Sequence, residues 1–145
     1  MKSKVNEVLG CFNNGFDCSQ AILSSYCEEF GLDKELAMKL SCGLAAGMSR
    51  LGETCGAVTG AYLLIGLIHG KYLPYDNEAK EKTFELVQEF ERQFVERNKS
   101  TNCYELLDVD LRNGDKQIAF KQVKGICPKL VKDAAEILES ILELS

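Results

Sequence analysis

Apolar residues recur along this chain at helical spacing. Val5, Val8, Leu9 and Phe12 share one face of a short helix expected over residues 3–13, which Asn13-Asn14-Gly15 ends. Asp17 is the expected N-cap of a second helix, residues 18–30, with Ala21, Ile22, Leu23, Tyr26 and Phe30 inward and Gly31 as its stop. Asp33 caps a third, from Lys34 to about Ala46, carrying Leu36, Met38, Leu40, Cys42 and Leu44. Residues 47–52 (GMSRLG) read as a turn or loop. Residues 77–98 form a long amphipathic helix with a stripe of Phe84, Val87, Phe90, Phe94 and Val95, its other faces charged. Ser100-Thr101-Asn102 caps a short helix from Cys103 to about Asp108. Residues 116–123 form another short helix or an irregular segment. Cys127-Pro128 opens the last helix, to about Leu144, because proline suits the first helical position. No stretch alternates as a strand does. The expectation is all-α: a bundle of about six to seven helices forming one domain over residues 1–145.

The chain is organised around residues 54–70, TCGAVTGAYLLIGLIHG, which contain no Asp, Glu, Lys or Arg. A helix apolar on every side is normally buried, and this one falls short of the about 20 residues a bilayer requires. Gly52, Gly56 and Gly60 recur every fourth residue, beside Ala57 and Ala61. Each interior glycine costs roughly 1 kcal/mol of helix propensity against alanine, so the small-residue stripe implies close approach of another backbone. Packing within one chain accounts for it, and so does a homodimer. The phenylalanine stripe of residues 84–94 could also extend into a dimer interface.

Composition narrows the function classes. A net charge of −5 with no basic cluster argues against nucleic acid and anionic membrane as partners. The N-terminal residues lack the apolar core of a signal peptide, so a cytoplasmic location is expected. No Ser-His-Asp set, phosphate loop or paired-carboxylate motif is visible, and the glycine spacing fits no nucleotide fingerprint. Seven cysteines in 145 residues are many for a reducing compartment, where thiols serve chemistry or metals more often than structural disulfides.

Position divides the seven. Cys11, Cys27 and Cys42 fall inside helices among apolar neighbours, where a free cysteine acts as a small hydrophobe. Cys18, Cys55, Cys103 and Cys127 each fall at or just before an expected helix start. A helix N-terminus stabilises a thiolate, which is both nucleophile and metal ligand, and can lower its pKa from about 8.5 into the range of roughly 3.5 to 7.5. The four are separated by 36, 47 and 23 residues, with no CxxC among them, so any shared site must be assembled by the fold. Asp17 and Glu53 flank site cysteines, as capping carboxylates or as proton donors, with capping the favoured role. His69 lies about 21 Å along the helix from Cys55 and cannot share a mononuclear site with it.

At these residues the chain resembles the small redox-active family labelled C_GCAxxG_C_C. Its central motif matches Cys55-Gly56-Ala57-Val58-Thr59-Gly60, its first cysteine Cys18 in DCSQAIL, and its last two Cys103, and Cys127 in GICPKL. The resemblance covers nearly the whole chain and implies a redox role. The chain is also similar to the non-haem part of split-Soret cytochromes, which implies an iron–sulfur centre. With no CxxCH, covalent haem is not expected.

Several chemistries are open to the four thiols. As ligands, Cys18, Cys55, Cys103 and Cys127 suit an iron–sulfur cluster, serving electron transfer with an unidentified redox partner, or a zinc ion. As a thiol–disulfide couple, the catalytic candidates are Cys55, the expected attacker, and Cys18. The expected activity is then that of a thiol or iron–sulfur oxidoreductase, without nucleotide or haem. The alternatives are a non-catalytic structural zinc module and a plain helical interaction protein with incidental thiols.

Overall fold

The computed structural model describes residues 2–144 and is all-α. Its elements are α1 (Val5–Asn13), α2 (Cys18–Tyr26) continued by one 3-10 turn (Cys27–Phe30), α3 (Lys34–Cys42), a short helical segment α4 (Ala45–Arg50), α5 (Gly56–His69), α6 (Asn77–Asn98), α7 (Cys103–Leu107) and α8 (Lys116–Ile141). An isolated antiparallel bridge joins Thr54 to Asn102. None of the described helices is long and apolar enough to cross a membrane.

The charge-free helix α5 is the centre of the packing. Its most extensive neighbour is α2, followed by α6 and α8. Glycine is required for the α2 contact: a Cβ on Gly60 would stand 2.8 Å from the Ser19 carbonyl oxygen and 3.2 Å from Ile22 Cβ. The small-residue stripe is therefore filled from within the chain. Gly52 lies outside the helix, at φ +78°, against the Tyr104 ring. On the other side of α5, Phe90 and Phe94 are fully buried and stacked at 5.8 Å, and Tyr62 meets Phe90 edge-on at 5.9 Å. Such pairs add about 0.5–1.5 kcal/mol beyond the area they bury. The core also takes Val8 from α1, Ile22 and Leu23 from α2, and Val131, Ile137 and Leu138 from α8. At the far end of α2, the Tyr26 hydroxyl donates to buried Glu139 at 2.6 Å, and the Lys4 backbone N–H donates to the same oxygen at 2.8 Å.

Three expectations need correction. The last helix does not begin at Pro128. Helix α8 starts twelve residues earlier in the chain, at Lys116, capped by Asp115, whose carboxylate accepts from the backbone N–H groups of Gln117 and Ile118 at 2.8 and 3.0 Å. Pro128 is carried inside it, leaving the Lys124 carbonyl without its usual donor. Helix α3 ends at Cys42, and it buries Ala37 and Ser41, while Leu36, Leu40 and Cys42 face outward. Ser41 turns inward because its hydroxyl bonds back to the Ala37 carbonyl at 2.7 Å and its own carbonyl accepts from Ser19 Oγ at 2.8 Å. The expected turn over residues 47–52 is a turn of unusual hand: residues 46–50 all have φ between +57° and +68°. A left-handed conformation costs a non-glycine residue roughly 1–2 kcal/mol, and only Gly47 among these five adopts it freely.

A four-cysteine cavity at the start of the central helix

Three elements bring their first residues to one place. Cys18 opens α2, Cys55 is the N-cap of α5, and Cys103 opens α7. Asp17 precedes Cys18 in a capping box, its backbone N–H donating to Gln20 Oε1 at 3.0 Å. Cys55 and Cys103 are set side by side by a reciprocal backbone pairing. The Cys55 N–H donates to the Thr101 carbonyl at 2.7 Å, and the Cys103 N–H to the Glu53 carbonyl at 2.9 Å. Glu53 thus contributes main chain rather than a cap, and its exposed side chain faces away from the core. Asn102 fixes the same corner twice: its side chain accepts from the Glu105 N–H at 3.0 Å and donates to the Gly52 carbonyl at 2.8 Å. Asn102→Ala loses a cap and a tertiary bond together. It is expected to cost about 1–2 kcal/mol, read as a lower denaturation midpoint, with thiol chemistry at Cys103 altered.

Cys127 arrives differently. It sits in the middle of α8, one residue before Pro128, and not at a helix start. All four cysteines nevertheless line a single cavity of about 70 Å³, walled by Phe12, Leu107, Leu111, Val123 and Leu130. That is several times the roughly 10–15 Å³ that admits one water. Cys55 and Cys103 are 5% exposed, and Cys18 and Cys127 are half-buried. Two glycines make the room. A Cβ on Gly56 would collide with the Cys18 sulfur, and one on Gly47 would stand 2.6 Å from Cys103 Cβ. The left-handed turn is anchored around this spot by Ser49 Oγ donating to the Gly43 carbonyl at 2.7 Å and by the Glu53 N–H donating to the Gly47 carbonyl at 3.0 Å.

The thiols do not have the low pKa that helix starts alone suggest. Burial dominates and pushes all four up: Cys18 above its ordinary value, Cys55 well above it, Cys103 to about 11 and Cys127 to about 12. The backbone N–H groups of Ala46 and Ser19 at Cys18, and of Ala57 at Cys55, pull in the opposite direction and are outweighed. The second cause is mutual. A thiolate at Cys18, Cys103 or Cys127 would disfavour ionisation of Cys55, one at Cys18 that of Cys103, and one at Cys18 or Cys103 that of Cys127. A raised folded-state pKa stabilises the fold below the unfolded thiol's pKa and loses that stabilisation as pH rises through the folded one. The reduced, metal-free chain is therefore expected to keep its denaturation midpoint up to about pH 9 and to lose stability toward pH 11–12. A fall of equal size in a variant with all four cysteines changed to serine would assign it to other groups.

Among the described residues, no three His, Cys, Asp or Glu side chains are gathered as ligands of one metal ion. A zinc ion needs its sulfurs within about 2.3 Å of one centre. The remaining cysteines are apart from this site. Cys27 is buried and donates to the Ser24 carbonyl at 3.5 Å, Cys11 lies 3.8 Å from Ser24 Oγ, and Cys42 is exposed. His69, at the other end of α5, is not part of the cavity wall.

No curated protein and no solved structure gives a significant match to the chain. The family model described as "Putative redox-active protein (C_GCAxxG_C_C)" matches residues 16–141, a span that holds all four cavity cysteines and the Cys55–Gly60 motif. With that match over most of its length, and the motif cysteines brought to one cavity, the chain belongs to the C_GCAxxG_C_C family.

Proposed function

We propose that this protein is an electron carrier whose Cys18, Cys55, Cys103 and Cys127 hold an iron–sulfur cluster. The observation that carries the reading is the cavity itself: four cysteines from four elements line one apolar space, larger than a single ion requires. Four thiolates buried together repel, and a cationic iron–sulfur core relieves both the burial and the repulsion. Such a cluster supplies one-electron transfer when bound. The chain's own residues do the rest. Leu107, Leu111, Val123 and Leu130 keep water from the sulfurs, and low solvent access is one of the levers that sets a cluster's potential. The N–H groups near Cys18 and Cys55 stand where they can donate to thiolate sulfur. Gly56 and Gly47 leave the space that any larger residue would fill.

A thiol–disulfide couple between Cys18 and Cys55 is the second reading, supported by Cys18 being the foremost charge felt by Cys55. It has less support because the raised pKa values leave the thiols almost wholly protonated near neutral pH, and the thiolate is the attacking form. Structural zinc held by the same four cysteines is the third reading. The discriminating experiment is iron, acid-labile sulfide and zinc analysis of protein purified without oxygen. Two or four irons per chain with matching sulfide are expected. One zinc per chain without iron would overturn the cluster, and a metal-free chain that loses two thiols on oxidation would replace it with the disulfide couple.

A further inference from the structure

Beside the cysteine cavity lies a second, open groove of about 730 Å³ that shares Asp17, Ala46, Leu111 and Val123 with it as common wall. Its volume is that of an ordinary small-molecule site. Its charge runs against that of the molecule. The chain carries a net charge of −5 and has four arginines. Arg92 pairs with Glu89 and Glu96 on α6, and Arg97 pairs with Asp133 and Glu136 on α8. The other two, Arg50 and Arg112, both line this groove together with Lys116, and none of the three has a carboxylate within ion-pair distance among the described residues.

The two arginines are held together by one side chain. The Tyr104 hydroxyl donates to the Arg50 carbonyl at 2.5 Å and accepts from the Arg112 N–H at 3.2 Å. Tyr104 follows Cys103 directly, so the corner that sets a site cysteine also sets the cationic rim. Asp110 Oδ1 accepts from the Arg112 and Asn113 N–H groups at 2.8 and 2.9 Å. Asp17 is the groove's own carboxylate, at its inner edge. On the outer side, Phe120 is 66% exposed and Leu51 59%, with the Lys124 ammonium 5.5 Å from the Phe120 ring. The groove thus offers guanidinium forks and an ammonium for acidic groups and an apolar shelf for a carbon body.

We infer that this groove binds a small organic anion carrying at least two negative charges as phosphate or carboxylate. The guanidinium group matches both geometries, and two of them line the groove. A molecule held there lies one wall from the four cysteines, the place of an electron donor or acceptor for that centre; this last clause rests on the redox reading, while the binding itself does not.

The test titrates the reduced, metal-free chain of residues 1–145 with pyrophosphate and, separately, with citrate, followed by calorimetry and by backbone amide shifts. The expected result is a single saturable site weakened by added salt, with shifts at residues 49–51, 112, 116 and 120. Arg50→Gln and Arg112→Gln are each expected to weaken it at least tenfold, and Lys39→Gln, remote on α3, to leave it unchanged. Tighter pyrophosphate assigns a phosphate ligand and tighter citrate a carboxylate. No saturable binding of either probe at millimolar concentration overturns the inference. So does undiminished affinity in an Arg50→Gln/Arg112→Gln variant, or amide shifts confined to other surfaces of the wild-type chain. Because no metal is present, failure of the cluster reading leaves this result untouched.

Discussion

Gly56→Ala is expected to empty the redox site and destabilise the chain, whereas Gly66→Ala, ten residues along the same helix, is expected to stabilise it. Both changes gain about 1 kcal/mol of helix propensity. At Gly66 a new Cβ meets nothing within 4 Å, so the gain stands. At Gly56 the Cβ falls on the Cys18 sulfur, with Ser19 N at 3.2 Å and Ala45 Cα at 3.3 Å behind it. Backbone cannot yield as a flexible side chain does, so the sulfur is displaced or α2 is levered off α5. Overpacking of this kind costs about 1–3 kcal/mol, which offsets or exceeds the propensity gain. The site suffers more than the fold: bound iron per chain should fall to a small fraction of wild type while the helical circular dichroism persists. Equal iron content in the two variants would show that Gly56 has no part in shaping the site.

Cys18→Ser is expected to have the other large effect. Cys18 lines the same cavity as Cys55, Cys103 and Cys127, and a charge on it disfavours the ionisation of each. On the cluster reading, its loss should abolish iron binding. In the metal-free protein the remaining thiols should ionise at lower pH than in wild type, because a repelling neighbour has gone. For Cys103 and Cys127 this means values below about 11 and about 12 respectively. Thiolate absorbance in the ultraviolet, followed against pH, reads the shift. Cys42→Ser, exposed and outside the cavity, is the matched control and should change neither property. An unchanged titration in Cys18→Ser would mean that the four thiols do not share a site.

The elements whose signals are local and unopposed were legible in the sequence. The bounds of α6 follow from its stripe and flanking caps, and the charge-free α5 announces its own burial. The four cysteines were separable from the other three because Asp17 and Asn102 mark helix starts and Cys55, itself the N-cap of α5, opens the charge-free run, and the structure brings all four to one cavity. The reason for Cys127 was misread. Pro128 favours a first turn but is tolerated where packing holds a helix through it, and the Asp115 cap upstream outranked it. The left-handed run over residues 46–50 had no local signal beyond Gly47, since Ala, Met, Ser and Arg do not favour it. It exists because tertiary contacts hold it: Ser49 on Gly43, Tyr104 on Arg50, and Glu53 on Gly47. Thiol acidity was legible only in part, because a helix start argues for a low pKa and the burial that reverses it depends on the assembled core. The arginine pair escaped notice because Arg50 and Arg112 are far apart in sequence and one tyrosine hydroxyl joins their main chains.

The most direct test of the account is the visible absorption spectrum of the protein isolated without oxygen, recorded beside that of Cys55→Ser, before and after reduction by dithionite. The account predicts a brown wild type whose charge-transfer absorption bleaches on reduction, and a colourless Cys55→Ser of unchanged helicity. A wild type that is colourless when isolated, and stays so after anaerobic supply of iron and sulfide, would contradict it.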